Sequence, residues 1–254
     1  MKKVMLMLVV AMLSVVSVFA VERTVDFSYN EWTVLLKDAA FASKAKPYLD
    51  SCKIQTTPVV QATIARCYYY IDFKANGKQA TPELVLAKIQ EYITLVGLTD
   101  PDMIVLAKLQ PLFFNGFYAE AIALGKDSQN KLIHEYMYHP YFANKAYEKA
   151  YASAIATGNK YFAFLAICKF DKVRAFEAAK VLTLGEYVTP VVLTKVLDSL
   201  GAMSFAGTTV TKDMEIDFLK SLNEKYSRFL IKDKATWEPI IAGIRLTLEV
   251  KQGK

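Results

Sequence analysis

Histidine and cysteine are scarce in this 254-residue chain, with two histidines and three cysteines. His134 and His139 cannot by themselves supply the three protein ligands of a catalytic zinc, so a third would have to be a carboxylate or a thiolate at no recognisable spacing. No Gly-x-Ser-x-Gly elbow and no glycine-rich phosphate loop occurs, which removes the sequence signs of an α/β-hydrolase serine and of a nucleotide site. Charged residues make up only 22% of the chain against 54% hydrophobic, so disorder is not expected. The formal net charge is +6, falling to +4 without Lys2 and Lys3. The lysines are scattered among acids and not gathered into a stripe, so a nucleic-acid surface is not indicated. After Ala20 no stretch reaches membrane length without a charge, a proline or a glycine.

The first residues carry the clearest pattern. Met1-Lys2-Lys3 is a short positive segment, an apolar run follows from Val4, and Val18-Phe19-Ala20 ends it with a peptidase-type pattern. That is the layout of a secretory signal peptide over 1–20, cleaved after Ala20. The mature protein over 21–254 is then expected as a single domain in the periplasm or outside the cell, with no transmembrane segment. Export permits disulfides. Cys52 and Cys67 are the candidate pair, closing a loop of about 15 residues worth on the order of 3 kcal/mol by chain entropy. Cys168 lies in an apolar helical stretch and is expected as a buried thiol.

Helix signals are dense and strand signals poor. Thr57-Pro58, Thr81-Pro82, Asp100-Pro101 and Thr189-Pro190 each place a side-chain acceptor before a proline. The acceptor satisfies an orphan amide at the helix start, and proline has no amide to satisfy. Behind Pro82, the residues Leu84, Leu86, Ile89, Tyr92, Ile93 and Leu95 keep helical spacing until Gly97. The pattern predicts helices near 29–45, 58–75, 82–96, 101–115, 117–125, 127–139, 141–157, 160–169, 171–183, 190–200, 212–230 and 235–250. Pro111 is expected to kink or break its helix. Short loops imply antiparallel neighbours, hence an all-α bundle or solenoid of stacked helix pairs. The connector 202–211, containing glycine, serine and threonine, is the candidate hinge.

Gly77, Gly116, Gly158, Gly201 and Gly243 recur at steps of 39, 42, 43 and 42 residues, near the period of a two-helix repeat. Gly243 falls inside a predicted helix and fits that scheme least. Gly116-Phe117-Tyr118-Ala119-Glu120-Ala121-Ile122 resembles the turn and second-helix start of a tetratricopeptide repeat, and Gly158-Asn159-Lys160-Tyr161-Phe162-Ala163 resembles it more loosely. Tyr147 stands where the family's first-helix aromatic would be. Lys108 and Leu109 depart from the family pattern, Gly125 interrupts the second helix, and the interval exceeds 34. The resemblance covers two of about five units and implies an irregular solenoid whose first helices line a groove. Gln110, Phe113 and Phe114 in one unit, and Lys145 and Glu148 in the next, are then the expected binding residues.

His134-Glu135-Tyr136-Met137-Tyr138-His139 is similar to the zinc-protease motif with one residue too many. Histidines five apart on a helix point about 140° from each other and cannot share a ligand face. Asp213, Glu215 and Asp217 fall at a helix start, where acids suit the dipole. Adjacent aromatics such as Tyr68-Tyr69-Tyr70, Phe113-Phe114 and Tyr161-Phe162 cannot all face inward on one helix, so some rings should reach the surface as contact residues.

These features point to an exported, non-enzymatic binding or scaffold protein of the cell envelope, with a protein or peptide partner and no cofactor or metal. The alternative is an exported hydrolase of envelope polymers, using scattered carboxylates and the region of His134 and Glu135; its sign would be a deep polar pocket of carboxylates with shifted pKa. A self-assembling structural subunit is the third reading, because a solenoid exposes apolar end faces unless capped.

Overall fold

The structure is a computed structural model that describes Leu49 and residues 57–185 and 187–253. The predicted signal peptide, the predicted helix 29–45 and Cys52 lie outside the described residues. Among those described, the protein is all-helical, with eleven α-helices, one 3-10 turn and no strand. They are α1 (Pro58–Asn76), α2 (Pro82–Leu95), α3 (Pro101–Asn115), α4 (Tyr118–Gly125), α5 (Lys131–Ala143), α6 (Tyr147–Ala156), α7 (Lys160–Ile167), α8 (Lys172–Gly185), α9 (Pro190–Gly201), α10 (Lys212–Ser227) and α11 (Lys234–Gln252). The 3-10 turn Arg228–Ile231 follows α10 directly.

Four helices begin at the threonine- or aspartate-proline pairs. The side chains of Thr81, Asp100 and Thr189 accept from the backbone N–H of Leu84, Met103 and Val192. Thr57 precedes α1 without such a side-chain bond.

Three of the turns between helices share one backbone shape. At Gly116-Phe117, Lys145-Ala146 and Gly158-Asn159, the first residue is left-handed, with φ of 90°, 61° and 74°. The second sits at φ/ψ of −84°/64°, −83°/63° and −83°/87° and opens the next helix. Each turn closes with the same pair of hydrogen bonds, as in Ala146 N–H to Tyr141 O at 2.9 Å and Lys145 N–H to Phe142 O at 3.1 Å. This is the Schellman ending, which satisfies two orphan carbonyls of the preceding helix. Glycine takes the left-handed position twice and lysine once, and Lys145 is the sole non-glycine residue with positive φ among those described.

The chain divides into two compact units, one up to Ile133 and one from His134 onward, so the division falls inside α5. In the first unit α1, α2 and α3 pack on one another and α4 packs on α3. Tyr68, Ile89, Ile93, Leu109 and Leu112 are buried there. Asn115 bridges this unit: its Nδ2 donates to the Tyr69 hydroxyl oxygen at 2.7 Å and its Oδ1 accepts from Gln79 N–H at 2.8 Å.

In the second unit α6 and α7 meet through Ala150, Ala154, Ala163 and Ala166, all buried in one cluster with Tyr138. Alanines let the helix axes approach, as ridge-and-groove packing requires where side chains are short. A larger core joins α8, α9, α10 and α11 around Phe164, Phe176, Leu193, Leu222, Tyr226 and Trp237.

Prolines depart from the sequence expectation. α3 runs through Pro111 and α5 runs through Pro140 to Ala143, where a helix boundary near 139–141 is expected. An interior proline costs about 3 kcal/mol. In α5 the rings on both sides of Pro140 belong to one stack: Tyr138 lies 5.4 Å from Phe142 and 4.4 Å from Phe162. Continuing the helix keeps Tyr138 buried and Phe142 partly buried against it, which offsets part of that cost.

The evenly spaced glycines hold unlike places. Gly116 and Gly158 sit in the shared turn, Gly77 caps α1 in a different conformation, Gly201 ends α9, and Gly243 lies mid-helix in α11. Two helices separate the first pair of glycines, and three separate each of the next two pairs.

Candidate functional site

The second unit contains a cavity of about 770 Å³ between α9, α10, α11 and the connector that follows α9. Helical spacing explains its walls. α9 presents Thr194, Leu197, Asp198 and Gly201, one stripe at i, i+3, i+4 and i+7, beside the stripe that buries Leu193 and Val196 in the core. α11 presents Pro239, Ile240, Gly243, Ile244, Thr247 and Lys251 by the same rule. Phe218, Leu219 and Glu215 come from α10, and Phe176 from α8.

The connector 202–211 supplies Met203 and Phe205. The expected hinge is therefore a wall of the cavity. Phe205 and Val210 are buried in the core, and the Phe205 ring meets Phe176 edge-on at 5.7 Å. Lys172 Nζ donates to Ser204 O at 3.1 Å, and the Thr208 hydroxyl donates to Phe205 O at 2.7 Å.

The open volume has a sequence cause. Gly201 and Gly243 bring no side chain to the walls, and apart from the adjoining backbone of its own helix no described atom stands within 4 Å of the place where a Cβ would sit on either. Tight packing does not require these glycines. Gly243 instead lowers the stability of α11 by about 1 kcal/mol relative to alanine and leaves space beside it.

Polar groups are few. Lys251 Nζ pairs with Glu215 Oε2 at 2.5 Å, and the Thr247 hydroxyl donates to Gly243 O within its own helix at 2.8 Å. Thr194 and Asp198 differ. Both are exposed, and among the described residues neither side chain has a hydrogen-bond or ion-pair partner. They also border a neighbouring hollow of about 380 Å³, lined further by Tyr161, Val191 and Lys195.

The residues expected from sequence lie elsewhere. Gln110 is 5% exposed in α3, and among the described residues its Oε1 has no hydrogen-bond partner. Phe113 and Phe114 are half-buried; their rings meet at 5.7 Å, with Tyr118 5.6 Å from Phe113 and Tyr70 6.5 Å from Phe114. Lys145 and Glu148 are exposed, at the α5–α6 turn and the first turn of α6. The first three thus fall in one unit and the last two in the other. Cys67 is buried on α1.

His134, Glu135 and His139 share α5. The His139 ring lies 5.2 Å from Phe162, 5.4 Å from Tyr138 and 5.5 Å from Tyr136. Burial holds its imidazole below the ordinary value. Among the described residues no three histidine, cysteine, aspartate or glutamate side chains gather as a metal site. Burial pushes the Cys168 thiol up to about 11, away from the thiolate a nucleophile needs. Asp213 and Glu215 occupy the first turn of α10, and Asp217 pairs with Lys220 at 3.3 Å. Among the described residues no helix is long and apolar enough to cross a membrane.

No protein-family model, curated protein or solved structure matches the chain.

The cavity escaped the sequence reading because its walls come from helices separated by loops of unreadable geometry. One sign was present: Gly243 interrupts an otherwise regular helical pattern, where the other spaced glycines are expected at turns.

Proposed function

We propose that this chain is an exported, non-enzymatic binding protein of the cell envelope, and that its C-terminal cavity receives the apolar part of a ligand. The cavity carries the reading. Its volume of about 770 Å³ lies within the roughly 300–1,000 Å³ of small-molecule sites, and its walls are aliphatic and aromatic with a few placed polar groups, the usual make-up of such sites. Export rests on the charged start, the apolar run from Val4 and the small residue at Ala20. Hydrolysis has less support, because the Glu215 carboxylate is already engaged by Lys251 and apolar side chains dominate the walls.

The test is native mass spectrometry of the protein purified from its own envelope fraction. A small-molecule adduct at one-to-one ratio, absent when Gly243→Leu fills the cavity, supports the reading. An unliganded protein that also takes up no apolar probe in solution refutes it.

A second reading concerns the first unit, where Phe113, Phe114 and Tyr118 form a half-exposed aromatic group beside the α3–α4 turn. Such rings are good anchors for a protein or peptide partner. Crosslinking in the envelope should then capture one partner that is lost in the Phe113→Ala/Phe114→Ala variant; unchanged capture removes this reading.

A further inference from the structure

We propose that the ligand of the C-terminal cavity is a single-chain amphiphile with a cationic amine end, recognised by Asp198 and Thr194. This rests on the reading of the cavity as a binding site and adds the chemistry of the ligand.

The argument starts from which polar groups are already occupied. Glu215 and Lys251 neutralise each other at 2.5 Å, and Thr247 is bonded to its own helix. What remains at the cavity edge is one carboxylate and one hydroxyl, those of Asp198 and Thr194, each without a partner among the described residues. Four residues apart on α9, they lie one above the other on one helix face, with Cβ atoms about 5–6 Å apart. Lys195 lines only the neighbouring hollow and makes no ion pair with Asp198. The charged groups lining the main cavity therefore sum to one negative charge, set at its edge.

A primary ammonium complements this arrangement. It carries one positive charge and three donors, enough to bond the Asp198 carboxylate and the Thr194 hydroxyl together. A carboxylate head would face an unpaired like charge and find no free cation within the cavity. The apolar remainder of the ligand fits the walls formed by Leu197, Phe218, Ile240 and Ile244. The two glycines, one on α9 and one on α11, leave open space at both helices, which suits a flexible chain.

Asp198 is exposed, so the charge contact is worth little, about two- to fivefold in affinity; burial of the chain supplies most of the binding.

The experiment is isothermal titration of the full purified chain at pH 7 with three probes below their micelle concentrations: dodecylammonium, dodecanol and dodecanoate. Dodecylammonium should bind one-to-one and tightest, dodecanol about two- to fivefold more weakly, and dodecanoate weakest. Asp198→Asn should bring dodecylammonium to the level of dodecanol and leave dodecanol unchanged. Gly243→Leu, and separately Gly201→Leu from the facing helix, should weaken all three probes at least tenfold, with folding checked by circular dichroism. Dodecanoate binding as tightly as dodecylammonium, or an Asp198→Asn variant with unaltered preference, overturns the amine assignment and leaves the cavity reading standing. No binding of any probe, or binding untouched by both filled variants when they are folded, overturns both.

Discussion

Tyr226 ties α10 to the end of α8 through its hydroxyl, which donates to Thr183 O at 2.8 Å. Lys225 Nζ donates to the same oxygen at 2.7 Å and to Leu184 O at 3.0 Å. These are carbonyls of the last turn of α8, which lack helical partners and carry the negative end of the dipole. Because Lys225 keeps Thr183 O bonded, Tyr226→Phe should cost only about 0.5 kcal/mol, the low end for a hydrogen bond. Tyr226→Ala should cost about 3–5 kcal/mol through lost packing on Trp237, whose ring stacks at 5.4 Å. Urea denaturation of both variants measures the difference. His139 adds a pH dependence. Burial depresses its folded pKa, so its neutral form contributes stability that is present above the unfolded value of about 6.5 and is lost as pH falls through the folded value. The urea midpoint should drop between pH 7.5 and 5.5, and His139→Phe should flatten that drop. An equal drop in the variant would assign the effect to other groups. Neither contact was legible in the sequence, since Tyr226 and Thr183 stand 43 positions apart.

At the scale of the element, ends were easier to read than turns. Threonine or aspartate before proline marks the starts of α1, α2, α3 and α9, because capping is a local matter of one side chain and one missing amide. The α5–α6 turn went unread because Lys145 fills a left-handed position where glycine is the usual sign. A residue with a Cβ pays about 1 kcal/mol or more in that conformation. Lys145→Gly should therefore stabilise the protein by about 1 kcal/mol in thermal or urea unfolding, whereas a loss would mean that the lysine side chain makes a compensating contact. Gly243 is the opposite case, a helical glycine with room for a side chain. Gly243→Ala should raise stability by about 1 kcal/mol, and no gain would mean that the added methyl meets something as yet unseen in the cavity. Pro140 misled for a tertiary reason: local chemistry ends the helix there, but the stacking of Tyr138 on both Phe142 and Phe162 ties together the two sides of it.

For the whole molecule, the division inside α5 implies that the second unit carries its own core and its own cavity. A fragment of residues 126–254, which keeps α5 intact, should fold cooperatively with Trp237 shielded from quencher, and should retain binding of dodecylammonium. A fragment that stays unfolded would show that its core depends on the preceding residues. The sequence alone determined the helical class, most of the helix starts and the lack of a metal or phosphate motif. Those depend on periodicity, capping and composition, which act over a few residues. Tertiary structure alone decided where the prolines are tolerated, which glycines bend the chain and which leave space, and that Thr194, Asp198, Gly201 and Gly243 share one cavity. Such juxtapositions depend on the angles at which helices pack, and those angles are set by side chains far apart in the chain.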